Sequence, residues 1–240
     1  MGRAHEVRAA SMAATAAKKT KIYSRFGKEI YMAAKSGVPD PEMNQTLKRT
    51  IEKAKAAQVP ADVIKRNIEK AKGGVGEALI ENRYEGFGPG GSTIIVDTLS
   101  DNANRSLTEV RTCFNRSHCT LGKAGCASYT YDNTGILSFK GDVDGTLDAL
   151  LMGEVDVQDV EGDEEGYVTV YVGPTDLFRA KEAIESGLGE TEFVVLENKM
   201  LPQEYVTLNE EDLAQFKRLM TLLDDVDDVQ QVYHNVENAE

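Results

Sequence analysis

The chain has 240 residues, of which 41% are hydrophobic, a length that supports two or three compact units. Its three cysteines are too few for a disulfide framework. No apolar run approaches the ~18–20 residues needed to cross a bilayer, which excludes an integral membrane protein built on helices. The net charge of −13 is unevenly distributed: residues 1–72 hold 16 Lys and Arg against 7 Asp and Glu, a net of +9, whereas residues 73–240 hold 11 against 33, a net of −22. A basic segment on an acidic chain predicts a polyanionic partner, most often nucleic acid.

The first predicted unit, residues 1–78, is entirely helical. Apolar residues recur at helical spacing from Ile22 to Ala33, and Gly37 and Pro39 end that run. Asp40 followed by Pro41 predicts the N-cap and first turn of a second helix. Pro60 opens a third helix. Three short amphipathic helices can share one small core and still present many cations outward.

The next predicted segment, residues 79–133, changes to strands after a glycine-rich hinge. Strands are predicted at 83–86 and 92–99, joined by a tight Gly-Pro-Gly-Gly turn, followed by a helix at 102–118 and a strand at 127–131. Residues 200–240 add a strand at 204–208, a helix capped by Asn209 and a strand at 229–236. These C-terminal elements are too few to fold alone, so we expect 79–133 and 200–240 to form one discontinuous α/β domain.

Residues 134–199 form a self-contained series between these two halves. Its predicted order is β-α-β-β-α-β, which is the ferredoxin-like arrangement. The fold class is therefore α+β: an N-terminal helical domain followed by two α/β domains, the third ferredoxin-like and inserted in the second.

The basic helices are the candidate nucleic-acid-binding surface. A solvated cationic helix face is the ordinary alternative, but a net of +9 in 72 residues of an acidic chain favours phosphate contact, which gives affinity with little sequence information. Arg105 lies on a later helix; a surface ion pair with Glu109 and an extension of the cationic track are equally good interpretations. The candidate residues are Lys18, Lys19, Lys21, Arg25, Lys28, Lys48, Arg49, Lys53, Lys55, Lys65, Arg66, Lys70 and Arg105.

The other motifs predict no chemistry. The glycine-rich segment 86–91 lacks the spacing of a phosphate loop and precedes a strand, so a tight turn is its expected role. The cysteines and histidines lack the spacing of a zinc site, and no catalytic constellation can be named. We therefore expect no metal, no cofactor and no enzymatic activity. The N-terminus lacks the apolar core of a secretory signal, so we expect a cytoplasmic protein without a membrane partner. It is Ala-rich and poor in acidic residues, so import into an organelle is the minor alternative. For the oligomeric state we favour a monomer.

Several segments together match one known family: Lys21-Ile22-Tyr23, Asp40-Pro41-Glu42, Lys53-Ala54-Lys55-Ala56, the run from Arg83 to Gly91, Asn104-Arg105, Val110-Arg111, Asp132-Asn133-Thr134-Gly135 and the run from Val229 to Val236. By these segments the sequence resembles the YebC/PmpR family, whose mitochondrial relatives act as translational activators. The resemblance extends over nearly the whole chain and implies three domains, nucleic-acid binding, transcriptional control and no catalysis. The family usually has a Lys-Trp pair where this chain has Ala4-His5, so we expect binding to depend on residues 18–28 and the next two helices. A ribosome-associated translation factor that contacts ribosomal RNA remains the alternative to a DNA-binding regulator.

Overall fold

The computed structural model describes residues 19–73 and 79–239 and confirms the α+β class, with helices followed by two four-stranded sheets. The chain forms two compact units, each made of two stretches of sequence. The first unit comprises Met1–Gly76 and Asn133–Lys199, and the second comprises Glu77–Asp132 and Met200–Glu240. The division of the first unit into a helical domain at 1–78 and an inserted domain at 134–199 stays a prediction.

Three helices make up the described N-terminal part of the first unit: α1 (Lys19–Lys35), α2 (Gln45–Ala56) and α3 (Ala61–Lys72). Their apolar stripes meet in a core that includes Ile30, Leu47 and Ile64. Asn44 connects the first two helices, because its amide Nδ2 donates to the Ala33 carbonyl at 2.8 Å while its Oδ1 accepts from the Leu47 amide at 3.0 Å. This buried side chain fixes where α2 begins and therefore which of its faces points outward.

The rest of the first unit is the predicted ferredoxin-like domain. It runs through β4 (Tyr131–Lys140), α5 (Val143–Met152), β5 (Val157–Gly162), β6 (Tyr167–Val172), α6 (Leu177–Leu188) and β7 (Phe193–Pro202). The strand order is β5-β6-β4-β7, and β6 pairs antiparallel with both β4 and β5. The two helices pack with their sheet around a core in which Phe139 meets Phe193 edge to face.

The second unit is a twisted antiparallel sheet with two helices. Its elements are β1 (Ile80–Phe87), β2 (Thr93–Ser100), α4 (Ala103–Arg116), β3 (Thr120–Leu121), α7 (Glu210–Asp224) and β8 (Val229–His234). The order β3-β1-β2-β8 places the last strand of the chain beside β2. Phe114 from α4 and Phe216 from α7 are fully buried in one core with the sheet residues Ile94 and Val96.

Two predicted strands are wrong, and the backbone hydrogen bonds explain why. Residues 128–130 form a short 3-10 turn instead of a strand, because the amides of Ala127 and Ser128 donate to the Glu85 carboxylate and cannot join a ladder. At 204–208 the only regular pairing among the described residues is a single bridge between Val206 and Val236. The Leu208 amide instead donates to the Asn238 side chain, at 2.9 Å.

The predicted start of the second helix is also displaced. Asp40 does accept a local hydrogen bond, from the amide of Glu42 at 2.9 Å, but residues 41–43 form a turn. The helix begins only after Asn44, which is the residue that caps it. Asp40-Pro41 therefore marks the loop before α2 and not its first turn.

Candidate nucleic-acid interface

The outward faces of α2 and α3 present a set of unpaired cations. Leu47, Ile51 and Ala54 of α2 are buried, whereas Lys48 and Lys55 are exposed. Among residues 19–73 and 79–239, no hydrogen bond or ion pair engages the exposed Lys48, Lys55, Lys65 or Arg66 side chain. We call these four residues the open cations. Side chains of this kind can neutralise phosphates without first breaking an interaction within the protein.

The predicted cations of α1 differ in accessibility. Lys19 is exposed, whereas Lys21, Arg25 and Lys28 are half-buried and interact with other groups of the protein. Lys18 lies outside the described residues. Lys70 on α3 is exposed, and its Nζ lies 5.3 Å from the centroid of the Tyr31 ring.

Two further predicted cations of α2 pack against the ferredoxin-like domain. The Arg49 guanidinium lies 5.1 Å and the Lys53 ammonium 5.9 Å from the centroid of the Phe178 ring on α6. Burial lowers the pKa of Lys53, partly opposed by the carboxylates of Glu29 and Glu197. Cations held over an aromatic face contribute to packing within this unit. Lys53 is therefore less available for phosphate than the open cations, whereas Arg49 remains exposed.

Replacing Phe178 with Ala should release both cations. We expect the pKa of Lys53 to rise towards its ordinary value, because the ring that excludes water is gone, and the free energy of unfolding to fall by about 1–2 kcal/mol. Lys53 can be titrated by NMR in protein labelled at the lysine side chains. Phe87→Ala, which removes a half-exposed ring from β1, is the matched control. An unchanged Lys53 titration would show that Phe178 does not shield the ammonium.

A cleft lies beside this packing contact, between the end of α2 and the ferredoxin-like domain. It has a volume of about 580 Å³ and is lined by both signs of charge, with Lys19, Lys55 and Lys181 opposite Glu185, Glu190 and Glu192. The Lys181 ammonium is already paired, at 2.7 Å from Glu185 and 3.7 Å from Glu52. Mixed charge of this kind disfavours a phosphate site inside the cleft. Lys55, which lines the cleft, is therefore the least favourably placed of the open cations, whereas Lys48, Lys65 and Arg66 are not among the lining residues.

Arg105 has a structural role in the second unit. Its guanidinium bonds Asp101 at 2.7 Å and the buried Asp228 at 2.9 Å, and these hydrogen bonds, with Asp228 the stronger, raise the pKa of Arg105. Ser100 and Ser106 also donate to Asp228. The ion-pair interpretation is therefore the better one for Arg105, although the acidic partners are Asp101 and Asp228 and not Glu109.

The glycine-rich segment forms a turn, as its sequence predicts. Pro89–Gly91 is a 3-10 turn in which Gly90 has φ of +63°, a conformation that favours glycine, and β2 follows directly. The neighbouring Glu85 is buried at 4% exposure and accepts hydrogen bonds from the amides of Gly125, Ala127 and Ser128 at 2.7–2.9 Å. Burial opposes its ionisation, but these three backbone donors outweigh it, so the pKa of Glu85 is lowered.

Within residues 19–73 and 79–239, no three His, Cys, Asp or Glu side chains lie close enough together to hold a metal ion. Cys113 and Cys119 are buried, and burial raises the pKa of each thiol. Over the same ranges, none of the helices is both long and apolar enough to cross a bilayer.

Sequence reasoning missed the packing of Arg49 and Lys53 on Phe178, which leaves Arg49 exposed and Lys53 half-buried. Phe178 stands about 125 residues beyond Lys53 and shares no motif with it. The only sequence signal was weak: an alanine, Ala56, ends a helix that carries Lys48, Lys53 and Lys55. In the structure Ala56 is partly buried against the core of the ferredoxin-like domain.

Comparison with known proteins adds the following matches. The model for the TACO1/YebC protein N-terminal domain matches residues 3–74, and the model for the TACO1/YebC second and third domain matches residues 79–236. The chain is 52% identical over 220 residues to the probable transcriptional regulatory protein YeeN of Escherichia coli K12, covering 91% of this chain and 92% of that protein. It is 48% identical to a probable transcriptional regulatory protein of Alteromonas mediterranea, with 98% of both chains covered. A crystal structure of a conserved hypothetical protein, Aq1575 from Aquifex aeolicus, superposes with a TM-score of 0.75 at 32% identity, covering 93% of this chain and 92% of that one.

Proposed function

Because this chain belongs to the TACO1/YebC family, we propose that it is a non-enzymatic regulator of gene expression that binds nucleic acid through its N-terminal helices. The relatives are named probable transcriptional regulatory proteins, which supports the regulatory part of this proposal. DNA is then the first candidate for its partner, and the cytoplasm is the compartment in which the two would meet.

The observation that supports nucleic-acid binding best is the unpaired state of the open cations. Lys48, Lys55, Lys65 and Arg66 stand exposed on two adjacent helices of a chain in which residues 73–240 have a net charge of −22. Four cations without an ion-pair partner in the described ranges can release counterions from a phosphate backbone. The acidic remainder repels phosphate, so binding should be confined to the helical part.

A ribosome-associated translation factor is the second candidate, and the position of Arg49 favours it. Specific readout of guanine in the major groove uses bidentate arginine. On α2 and α3, every residue of which is described, the two arginines are Arg49 and Arg66, and Arg49 lies over Phe178. The rest of the basic surface is lysine, a point-charge phosphate binder. Such a surface suits structured RNA at least as well as a specific DNA operator.

Two measurements on the full chain distinguish these candidates. In competition binding at physiological salt, we expect a candidate promoter to outcompete scrambled DNA by much less than the ~10³-fold typical of a specific regulator. Sedimentation of cell lysate through a gradient, with and without ribonuclease, tests association with ribosomes. Strong promoter preference without co-sedimentation would establish the transcriptional function. Weak preference with ribonuclease-sensitive co-sedimentation would establish the translational one, and binding to neither would refute the proposal.

A further inference from the structure

The ferredoxin-like domain exposes a group of large aliphatic side chains on α5. Leu151 and Met152 are 77% and 86% exposed, and Leu147 is 43% exposed. Leu147 and Leu151 are four residues apart and therefore lie one above the other on the same helix face. Leu188, at the end of α6, is 41% exposed and reaches to within 3.4 Å of the position that a Cβ on Gly145 would occupy. We call Leu147, Leu151 and Met152 the Leu151 patch.

Single exposed aliphatic residues are ordinary on protein surfaces, but three on one ten-residue helix are not. The opposite side of α5 is already buried, since Ala149 and Leu150 pack into the domain and Gly187 of α6 approaches Ala149 closely. The exposed leucines are therefore additional to the residues that α5 already packs into its own domain. Leucine and methionine side chains in this setting adapt readily to an apolar partner.

The charged residues next to the Leu151 patch in the sequence are all negative. Asp144 and Asp148 lie on the same exposed face of α5. Glu154 and Asp156 follow directly after the helix. From residue 141 to residue 178 the sequence holds eleven Asp and Glu and no Lys or Arg. Nucleic acid and anionic lipid would be repelled by this surface. A complementary partner must combine aliphatic side chains with positive charge.

We propose that the Leu151 patch is a protein-docking surface, and that it binds a basic amphipathic helix of another protein. Aliphatic residues of that helix would cover Leu147, Leu151 and Met152, while its flanking Lys and Arg side chains would meet Asp144 and Asp148. This inference is independent of what the N-terminal helices bind.

A second copy of this chain is a poorer fit than another protein. Its own basic helices, α2 and α3, hold none of the large exposed hydrophobic residues in the described part of the chain; the nearest, Val38 and Met43, lie in the loop before α2. A helix of this chain would therefore supply charge to the acidic face of the other copy without supplying an aliphatic stripe.

The test uses the full chain and a fluorescent synthetic helix that has leucine on one face and lysine on the flanks. A peptide with the same leucines and glutamate in place of lysine is its control. We expect the basic peptide to bind and the acidic one to fail. Leu147→Ser with Leu151→Ser should weaken binding roughly ten- to hundredfold, because the apolar surface that the peptide covers is removed. Asp144→Asn with Asp148→Asn should weaken it and reduce its salt dependence.

Matched controls remove similar groups elsewhere. Val38→Ser with Met43→Ser deletes other exposed apolar side chains, and Glu210→Gln with Glu211→Gln deletes exposed acids from α7. Neither pair should change binding, and thermal melting should show all variants folded. Equal binding of the two peptides would overturn the proposal, as would equal losses in the control variants. Concentration-dependent self-association that Leu151→Ser abolishes would assign the patch to a second copy and overturn it as well.

Discussion

Replacing the open cations Lys48, Lys55, Lys65 and Arg66 with Gln should reduce the affinity for nucleic acid by roughly 10²–10³-fold at physiological salt. The estimate follows from counterion release, in which each neutralised phosphate contributes about fivefold under these conditions. The slope of log affinity against log salt should become shallower by about 0.9 for every phosphate of B-DNA that is no longer neutralised, and by the same amount for unrelated sequences. Fluorescence anisotropy over a salt series, with two duplexes of different sequence, measures both effects.

A matched variant separates position from charge. Arg111, Arg116, Lys123 and Arg218 are exposed cations of the second unit, and replacing them with Gln removes the same total charge. We expect that variant to bind almost as tightly as the unaltered chain. Equal losses in the two variants would show that overall charge governs binding and that the helical surface has no special role. Both variants retain Arg49 and Lys53, because replacing those two residues would also disturb the packing on Phe178.

Replacing Glu85 with Ala should lower the free energy of unfolding by about 3–5 kcal/mol. Three backbone amides, those of Gly125, Ala127 and Ser128, would lose their acceptor, and each buried unsatisfied donor costs about 1–3 kcal/mol. A loss of this size is a large part of the total stability of a typical domain. Urea denaturation measures it. Glu81→Ala, an exposed glutamate on the same strand, should change stability by less than about 0.5 kcal/mol.

The same carboxylate predicts a pH dependence. Because the folded-state pKa of Glu85 lies below its ordinary value, its stabilising contribution is fully present above the unfolded-state pKa of about 4.3. That contribution is lost as the pH falls through the lower, folded-state pKa. The stability difference between the unaltered chain and Glu85→Gln should therefore be constant near neutral pH and shrink in acid. A difference that stays constant down to pH ~2 would contradict a lowered pKa.

Local pattern was sufficient for most of the fold. The spacing of Ile22, Ile30 and Ala33 predicted α1, because a helix repeats every 3.6 residues and one face must be buried. The order of elements in 134–199 predicted the ferredoxin-like sheet, because short connections allow few alternatives. Both inferences depend on residues that are close together in sequence.

The errors occurred where distant groups decide the local structure. Residues 127–131 have the composition of a strand, but the Glu85 side chain, more than 40 residues earlier, takes their amides. Lys53 has the spacing of an outward-facing lysine, but Phe178 covers it. In the candidate interface the sequence identified the cationic helices correctly as helices. The sequence could not distinguish the open cations from the cations that interact with other groups of the protein, because that distinction depends on tertiary structure.

The position of β8 in its sheet has a consequence for folding during synthesis. The edge of β2 pairs with β8, yet about 130 residues separate the end of one strand from the start of the other. At synthesis rates of about 5–20 residues per second, β2 is exposed for roughly 6–26 s before its partner has been made. Three large apolar side chains of that strand, Ile94, Ile95 and Val96, are fully buried in the folded chain. The nascent protein thus passes through a period in which an unpaired, aggregation-prone edge depends on chaperones or rapid translation for its protection.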